Sequence, residues 1–123
     1  MKTIEELLKQ PAVYLHNWSC KEDVISDFNN DDIYHNQNIL FASYGTDNYE
    51  GDAFVLYESE GLLYEVNADH CSCYGLEGQF DPRETTLIEL RHRLLNGRFG
   101  TDDWSDNCFA QELREFLGIQ DEN

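Results

Sequence analysis

The sequence predicts an α+β protein: a small antiparallel β-sheet of three to four strands packed against helices, in the order α-α-β-β-β-α-α. Three observations predict this. Two capping-box patterns stand near the N-terminus, Thr3-Ile4-Glu5-Glu6 and Ser19-Cys20-Lys21-Glu22. The middle of the chain holds short runs rich in aromatic and β-branched residues joined by short polar links. The last third returns to apolar residues at helical spacing.

In the first capping box the Thr3 hydroxyl meets an orphan N–H and Glu6 reaches back. Ile4, Leu7 and Leu8 then give a short apolar stripe, and Pro11 stops the helix. The second box leads into Val24, Ile25 and Phe28, and Asn29-Asn30-Asp31-Asp32 ends that helix. Strands are expected at Asn38–Tyr44, Ala53–Tyr57 and Leu62–Val66. The polar run Gly45–Asp52 links the first two, and Glu58-Ser59-Glu60-Gly61 forms a tight hairpin. In the third strand Leu62, Tyr64 and Val66 share a face and Glu65 points the other way. One sheet face is therefore expected to lie on helices and the other to be partly wet. Asp81-Pro82-Arg83-Glu84 reads as a helix start, with Leu87, Ile88, Leu90, Leu94 and Leu95 as the apolar face, Arg91 inside it, and Gly97 as the stop. Phe109, Leu113, Phe116 and Leu117 form a last amphipathic helix, closed by Gly118. Residues 1–123 read as a single domain, with no repeat and no low-complexity linker.

Charge is the outlying property. The 123 residues carry 25 acids against 8 Lys and Arg, a net of −17. Such a balance excludes a direct phosphate binder and a ligand of anionic membranes, both of which rest on clustered cations. Hydrophobic residues at 41% and aromatics at 13% argue for a packed core and against disorder. Residues 22–82 hold 14 acids and no Lys or Arg. A block of this kind is either a solubilising surface or a field that steers the protein onto a basic partner. Asp31, Asp32, Asp47, Glu50, Asp52, Glu58 and Glu60 are the candidate partner-binding residues. Homodimerisation through them is opposed by repulsion, so a monomer is expected. No apolar run approaches the roughly 20 residues of a bilayer span, and residues 1–10 do not read as a signal peptide. A cytoplasmic location is expected, where the four cysteines stay reduced.

The most chemically loaded segment is His70-Cys71-Ser72-Cys73, which puts three metal-ligating side chains within four residues. If it leaves the third strand as a turn, two thiolates and an imidazole converge, a set that suits zinc. His92, on the following helix, is the first choice for a fourth ligand, with Cys108, Cys20, His16 and Glu77 left open. His16 and His35 read otherwise as ordinary surface or core residues. A small metal- or thiol-dependent enzyme centred on Cys71, Cys73 and His70 is the alternative reading, but acidic surroundings raise a thiol's pKa and oppose a free thiolate. Gly45–Gly51 lacks the Gly-Lys-Ser/Thr ending of a phosphate loop, and its acids do not fit a calcium hand.

Beyond these readings, Glu50-Gly51-Asp52-Ala53-Phe54-Val55-Leu56, Leu63-Tyr64-Glu65-Val66 and His70-Cys71-Ser72-Cys73-Tyr74-Gly75-Leu76-Glu77-Gly78-Gln79 resemble a family of small proteins encoded in phages and prophages. Asp81-Pro82-Arg83-Glu84-Thr85-Thr86 and Phe109-Ala110-Gln111-Glu112-Leu113-Arg114 extend the resemblance over roughly the last 85 residues. Some small acidic phage proteins of this general kind are anti-CRISPR proteins, including zinc-containing inhibitors of type II effector nucleases. The resemblance implies a non-enzymatic inhibitor in the host bacterial cytoplasm, with a CRISPR effector nuclease as partner and a structural zinc on His70, Cys71 and Cys73. An acidic interaction module for another host protein is the neighbouring alternative.

Overall fold

The computed structural model describes residues 1–29, 38–47, 50–70, 75–97, 99–101 and 107–119. Over these the chain runs α1 (Ile4–Leu8), β1 (Val13–His16), α2 (Lys21–Phe28), β2 (Asn38–Asp47), β3 (Glu50–Ser59), β4 (Leu62–His70), β5 (Arg83–Thr85), α3 (Leu87–Asn96) and α4 (Ala110–Leu117). The α+β class stands, but the sheet is mixed and has five strands in the order β1-β2-β3-β4-β5. The expected order lacked its two edge strands.

Both omissions have a physical cause. β1 is four residues long, too short to show a period, and it is held by parallel pairing of Val13–His16 with Phe41–Tyr44. β5 occupies residues read as a helix start. Its three residues pair antiparallel with Leu63–Glu65, so the edge of β4 satisfies backbone that a helix would otherwise have bonded. The helix begins one turn later. Thr86 is its cap, and its hydroxyl accepts the Glu89 N–H at 3.1 Å.

The first capping box forms as read: the Thr3 hydroxyl accepts from Glu6 N–H, and the Glu6 carboxylate accepts from Thr3 N–H, both at 3.2 Å. The second does not. Cys20 is the N-cap of α2 without a side-chain bond, and Asp23 accepts the Ser19 N–H at 2.8 Å instead. Asn29 ends α2 in the left-handed conformation. The polar run Gly45–Asp52 is mostly strand. β2 continues to Asp47 and β3 begins at Glu50, paired in register with each other. At the next hairpin Ser59 pairs with Leu62, so Glu60 and Gly61 form a two-residue turn, and both have positive φ (54° and 83°).

Both faces of the sheet are covered, which corrects the expectation of a partly wet face. Leu40, Phe41, Phe54, Leu56 and Leu63 face α1, α3 and α4, meeting Leu7, Leu90, Leu94, Leu113, Phe116 and Leu117. Ala42, Tyr44, Ala53, Val55, Tyr57 and Val66 face the other way, under Trp18, Val24, Phe28 and Leu76. This explains why Ala53–Glu58 is buried at every position instead of alternating. A bulge between Ile39 and Phe41 lets consecutive Leu40 and Phe41 enter the same core. On α3, Leu90 and Leu94 are buried, while Ile88 is 76% exposed and Arg91 is exposed, so the apolar face is narrower than the sequence suggested. Arg93, not Arg91, is the arginine of α3 that turns toward the sheet, pairing with Glu65 of β4.

Candidate functional site

The chemistry of the Cys/His segment starts at the end of β4. His70 is the last residue of that strand, its backbone registered against Gly51 of β3. Cys71 and Cys73 lie outside the described residues. Gln79 bonds the described residues on either side of them. Its side-chain Nε2 donates to the carbonyl of Asp69 at 2.6 Å and to that of Gly75 at 2.7 Å, while its Oε1 accepts the Asp69 N–H at 3.1 Å. One amide thus ties both ends of the 70–74 segment together. Leu76 and Phe80, which follow, anchor the segment on the α2 side of the sheet, and Phe80 meets Phe28 edge-on with ring centres 5.3 Å apart.

His92 lies on α3. Its flanking residues Leu90 and Leu94 belong to the opposite core, and its exposed ring places Nδ1 3.3 Å from the Asn96 amide nitrogen. Of the other open choices, His16 Nε2 lies 2.9 Å from the Cys108 carbonyl, Cys20 and Cys108 are half-buried, and Glu77 is exposed. Among the described residues no three His, Cys, Asp or Glu side chains converge as a metal site.

The acids separate into two kinds. Several are held inside the fold. Glu58, a candidate contact residue, is only 8% exposed; its carboxylate accepts from the Asn38 amide at 2.9 Å and from Gly61 N–H at 3.2 Å, so it braces the hairpin. Asp27 accepts the indole N–H of buried Trp18 at 2.7 Å. Glu65 is buried and takes hydrogen bonds from Arg93 and from Asn67. Burial pushes the Glu65 carboxyl up, but the hydrogen bonds and the charge of Arg93 outweigh it and hold the group below the usual carboxylate range. Sequence reading placed Glu65 on a wet face; the signal it passed over is the two-residue spacing from Leu63, which sends both toward the helices.

Other acids remain at the surface. Glu60 is exposed at the hairpin tip and Asp52 is half-buried. Asp47 and Glu50 close the β2–β3 ladder as a backbone pair, and Asp31 and Asp32 lie outside the described residues. On the α2 side Glu22 and Glu77 are exposed and Asp23 is half-buried, beside the half-buried Asp27 already bonded to Trp18, with Lys21 the one cation of α2. Their field is felt by the tyrosines beneath. Tyr44 is pushed up to about 12, by burial first and then by the charges of Asp27 and Glu77. Tyr14 is raised by burial, then by Cys20 and Glu22. Among the described residues, the helices of the opposite layer and their ends carry Lys2, Lys9, Arg91, Arg93 and Arg114 against Glu5, Glu6, Glu89, Glu112 and Glu115, and the Glu65 carboxylate that pairs with Arg93 adds one acid.

Comparison with family models, curated proteins and solved structures finds no match for the chain. No helix among the described residues is long and apolar enough to cross a membrane.

Proposed function

We propose that this protein is a non-enzymatic inhibitor that binds a basic surface of a host protein through its acidic α2 side, and that a type II CRISPR effector nuclease is that target. The observation that carries the binding reading is the one-sidedness of the charge. Asp27 of α2 and Glu77 of the segment after β4 both act on Tyr44, and Glu22 acts on Tyr14, while the described helices of the α1–α3–α4 layer and their ends carry as many cations as acids. The choice of a CRISPR effector comes from the phage-family resemblance. Such effectors hold nucleic acid in a positively charged channel, and a carboxylate-rich face competes for that channel or a basic surface beside it. Co-purification with the effector and a DNA-cleavage assay test the proposal. Loss of cleavage as inhibitor is added supports it; full cleavage at saturating protein refutes it for that nuclease.

The same proposal includes a structural zinc on the Cys/His segment after β4. The Gln79 latch holds the two ends of the 70–74 segment together, and His70, Cys71 and Cys73 form a thiolate–imidazole donor set that suits zinc. When bound, the metal supplies stability and no chemistry. His92 is not brought to this segment by any described contact, so the fourth ligand is better sought near the segment itself. Protein purified without chelator is expected to contain stoichiometric zinc, and chelation is expected to lower its melting temperature. Metal at trace level removes the zinc from the account.

A further inference from the structure

A second surface lies at the β5 end of the sheet. A groove of about 790 Å³ runs between the N-terminal residues, the β3–β4 hairpin and the β5–α3 junction. Its walls are mostly apolar, and Met1, Leu62 and Ile88 contribute side chains that are 51%, 46% and 76% exposed. These are three of the four exposed large apolar residues among the described ones. Apolar side chains gathered in one concavity, instead of scattered singly, mark an interaction site.

The groove is continuous with a polar cleft. Glu84 and Thr85 of β5 line both, and the cleft adds Glu65, Asp81, Glu89 and Arg93. Arg93 is already engaged by Glu65 and Glu89. Arg83 is then the cleft's other cation, set against Asp81 and Glu84. The groove itself is lined by Glu5, Glu84 and Lys2, and the Lys2 ammonium is turned to the Gln10 side chain. An apolar channel thus opens beside carboxylates in excess. We infer that this groove docks a segment of a partner protein that carries apolar side chains next to Arg or Lys. The apolar side chains would fill the space between Leu62 and Ile88, and the cation would meet Glu84 and Asp81. A second copy of this chain fits less well, because it would bring a like net charge of −17 to the same carboxylates.

The inference rests on the preceding reading only in taking the protein to be a binder of basic partners, and its test needs no nuclease. A random-peptide display library is selected against the wild-type protein, and the enriched peptides are synthesised and titrated. Enriched sequences are expected to combine apolar residues with Arg or Lys. Their affinity should fall roughly tenfold or more in Ile88→Glu, which deletes an apolar contact and buries a charge, and several-fold in Glu84→Lys. Both positions are exposed, and circular dichroism checks that each variant keeps its fold. The inference is overturned if selection enriches nothing or acidic peptides, or if the peptides bind Ile88→Glu as well as wild type. It is equally overturned if sedimentation shows a wild-type dimer that Ile88→Glu dissociates. Failure of the nuclease assay with success here would leave the groove assigned and the target open.

Discussion

Glu65 and Arg93 show how a strongly acidic chain uses one of its few cations internally. The carboxylate is buried between β4 and α3, and the guanidinium, 30% exposed, also stacks over Phe99 with 4.4 Å between its central carbon and the ring centre. Replacing Arg93 with Met leaves a buried carboxylate with the Asn67 amide and the Thr85 hydroxyl as its remaining, uncharged hydrogen-bond donors. The expected loss is about 2–3 kcal/mol at neutral pH, below the ~3–5 kcal/mol of a fully buried pair because Arg93 is partly solvated. Urea unfolding measures it, and a loss under about 0.5 kcal/mol would contradict the pairing. The pH dependence has a definite sign. The folded carboxyl is held below its ordinary value of 4.5, so its contribution is complete above that value and is lost as pH falls through the folded pKa. The gap between wild type and Arg93→Met should therefore close in acid. Tyr44 works at the other end of the scale. Its folded pKa near 12 lies above the ordinary 10, so its stabilisation is full below pH 10 and declines as pH rises toward 12. In the Glu77→Gln variant one of the charges raising it is gone, and NMR titration of the ring should show an earlier midpoint.

Two glycines separate the demands of a turn from those of packing at the scale of elements. Gly61 has φ of 83° and open space around an added Cβ, so Gly61→Ala meets only the left-handed penalty of about 1–2 kcal/mol. Gly100 has φ of 74°, and a Cβ there would stand 2.9 Å from the Ala110 nitrogen and 3.0 Å from the Phe109 ring. Its carbonyl accepts N–H groups of both Phe109 and Ala110, at 2.9 and 3.0 Å, and so caps α4, whose N-cap residue Phe109 makes no side-chain cap bond. Gly100→Ala is expected to be clearly more destabilising than Gly61→Ala by denaturant unfolding; equal losses would contradict the capping role. The contrast also shows what was legible in the sequence. Local signals were readable: the Thr3–Glu6 box, the stripe of Phe109, Leu113, Phe116 and Leu117, and the Gly118 stop all formed. Features fixed by distant partners were not. β1 and β5 exist because β2 and β4 offer edges, Gly100 caps a helix that starts ten residues later, and Gln79 latches a loop through its side chain. Of the candidate site, the His70-Cys71-Ser72-Cys73 segment was visible as composition. The sorting of acids into internal braces such as Glu58 and exposed groups such as Glu77 depends on burial, which two-residue periodicity misreads when both faces of a sheet are covered.

For the whole molecule, the net charge of −17 is divided between structural work and an outward field. Exposed carboxylates separated by more than the Debye length, ~8 Å at physiological ionic strength, are largely screened from one another. A recognition role therefore depends on acids gathered on one side, as on the α2 side, and not on net charge alone. The most direct test compares two variants with equal change in charge. Glu22→Lys with Glu77→Lys alters the α2 side, and Glu112→Lys with Glu115→Lys alters α4 on the balanced layer; all four positions are exposed. Affinity for the effector nuclease is measured for each at low and physiological salt. The account predicts a roughly tenfold or greater loss for the α2-side variant, shrinking with salt, and little change for the α4 variant. Equal losses in both variants, or none in either, would contradict it.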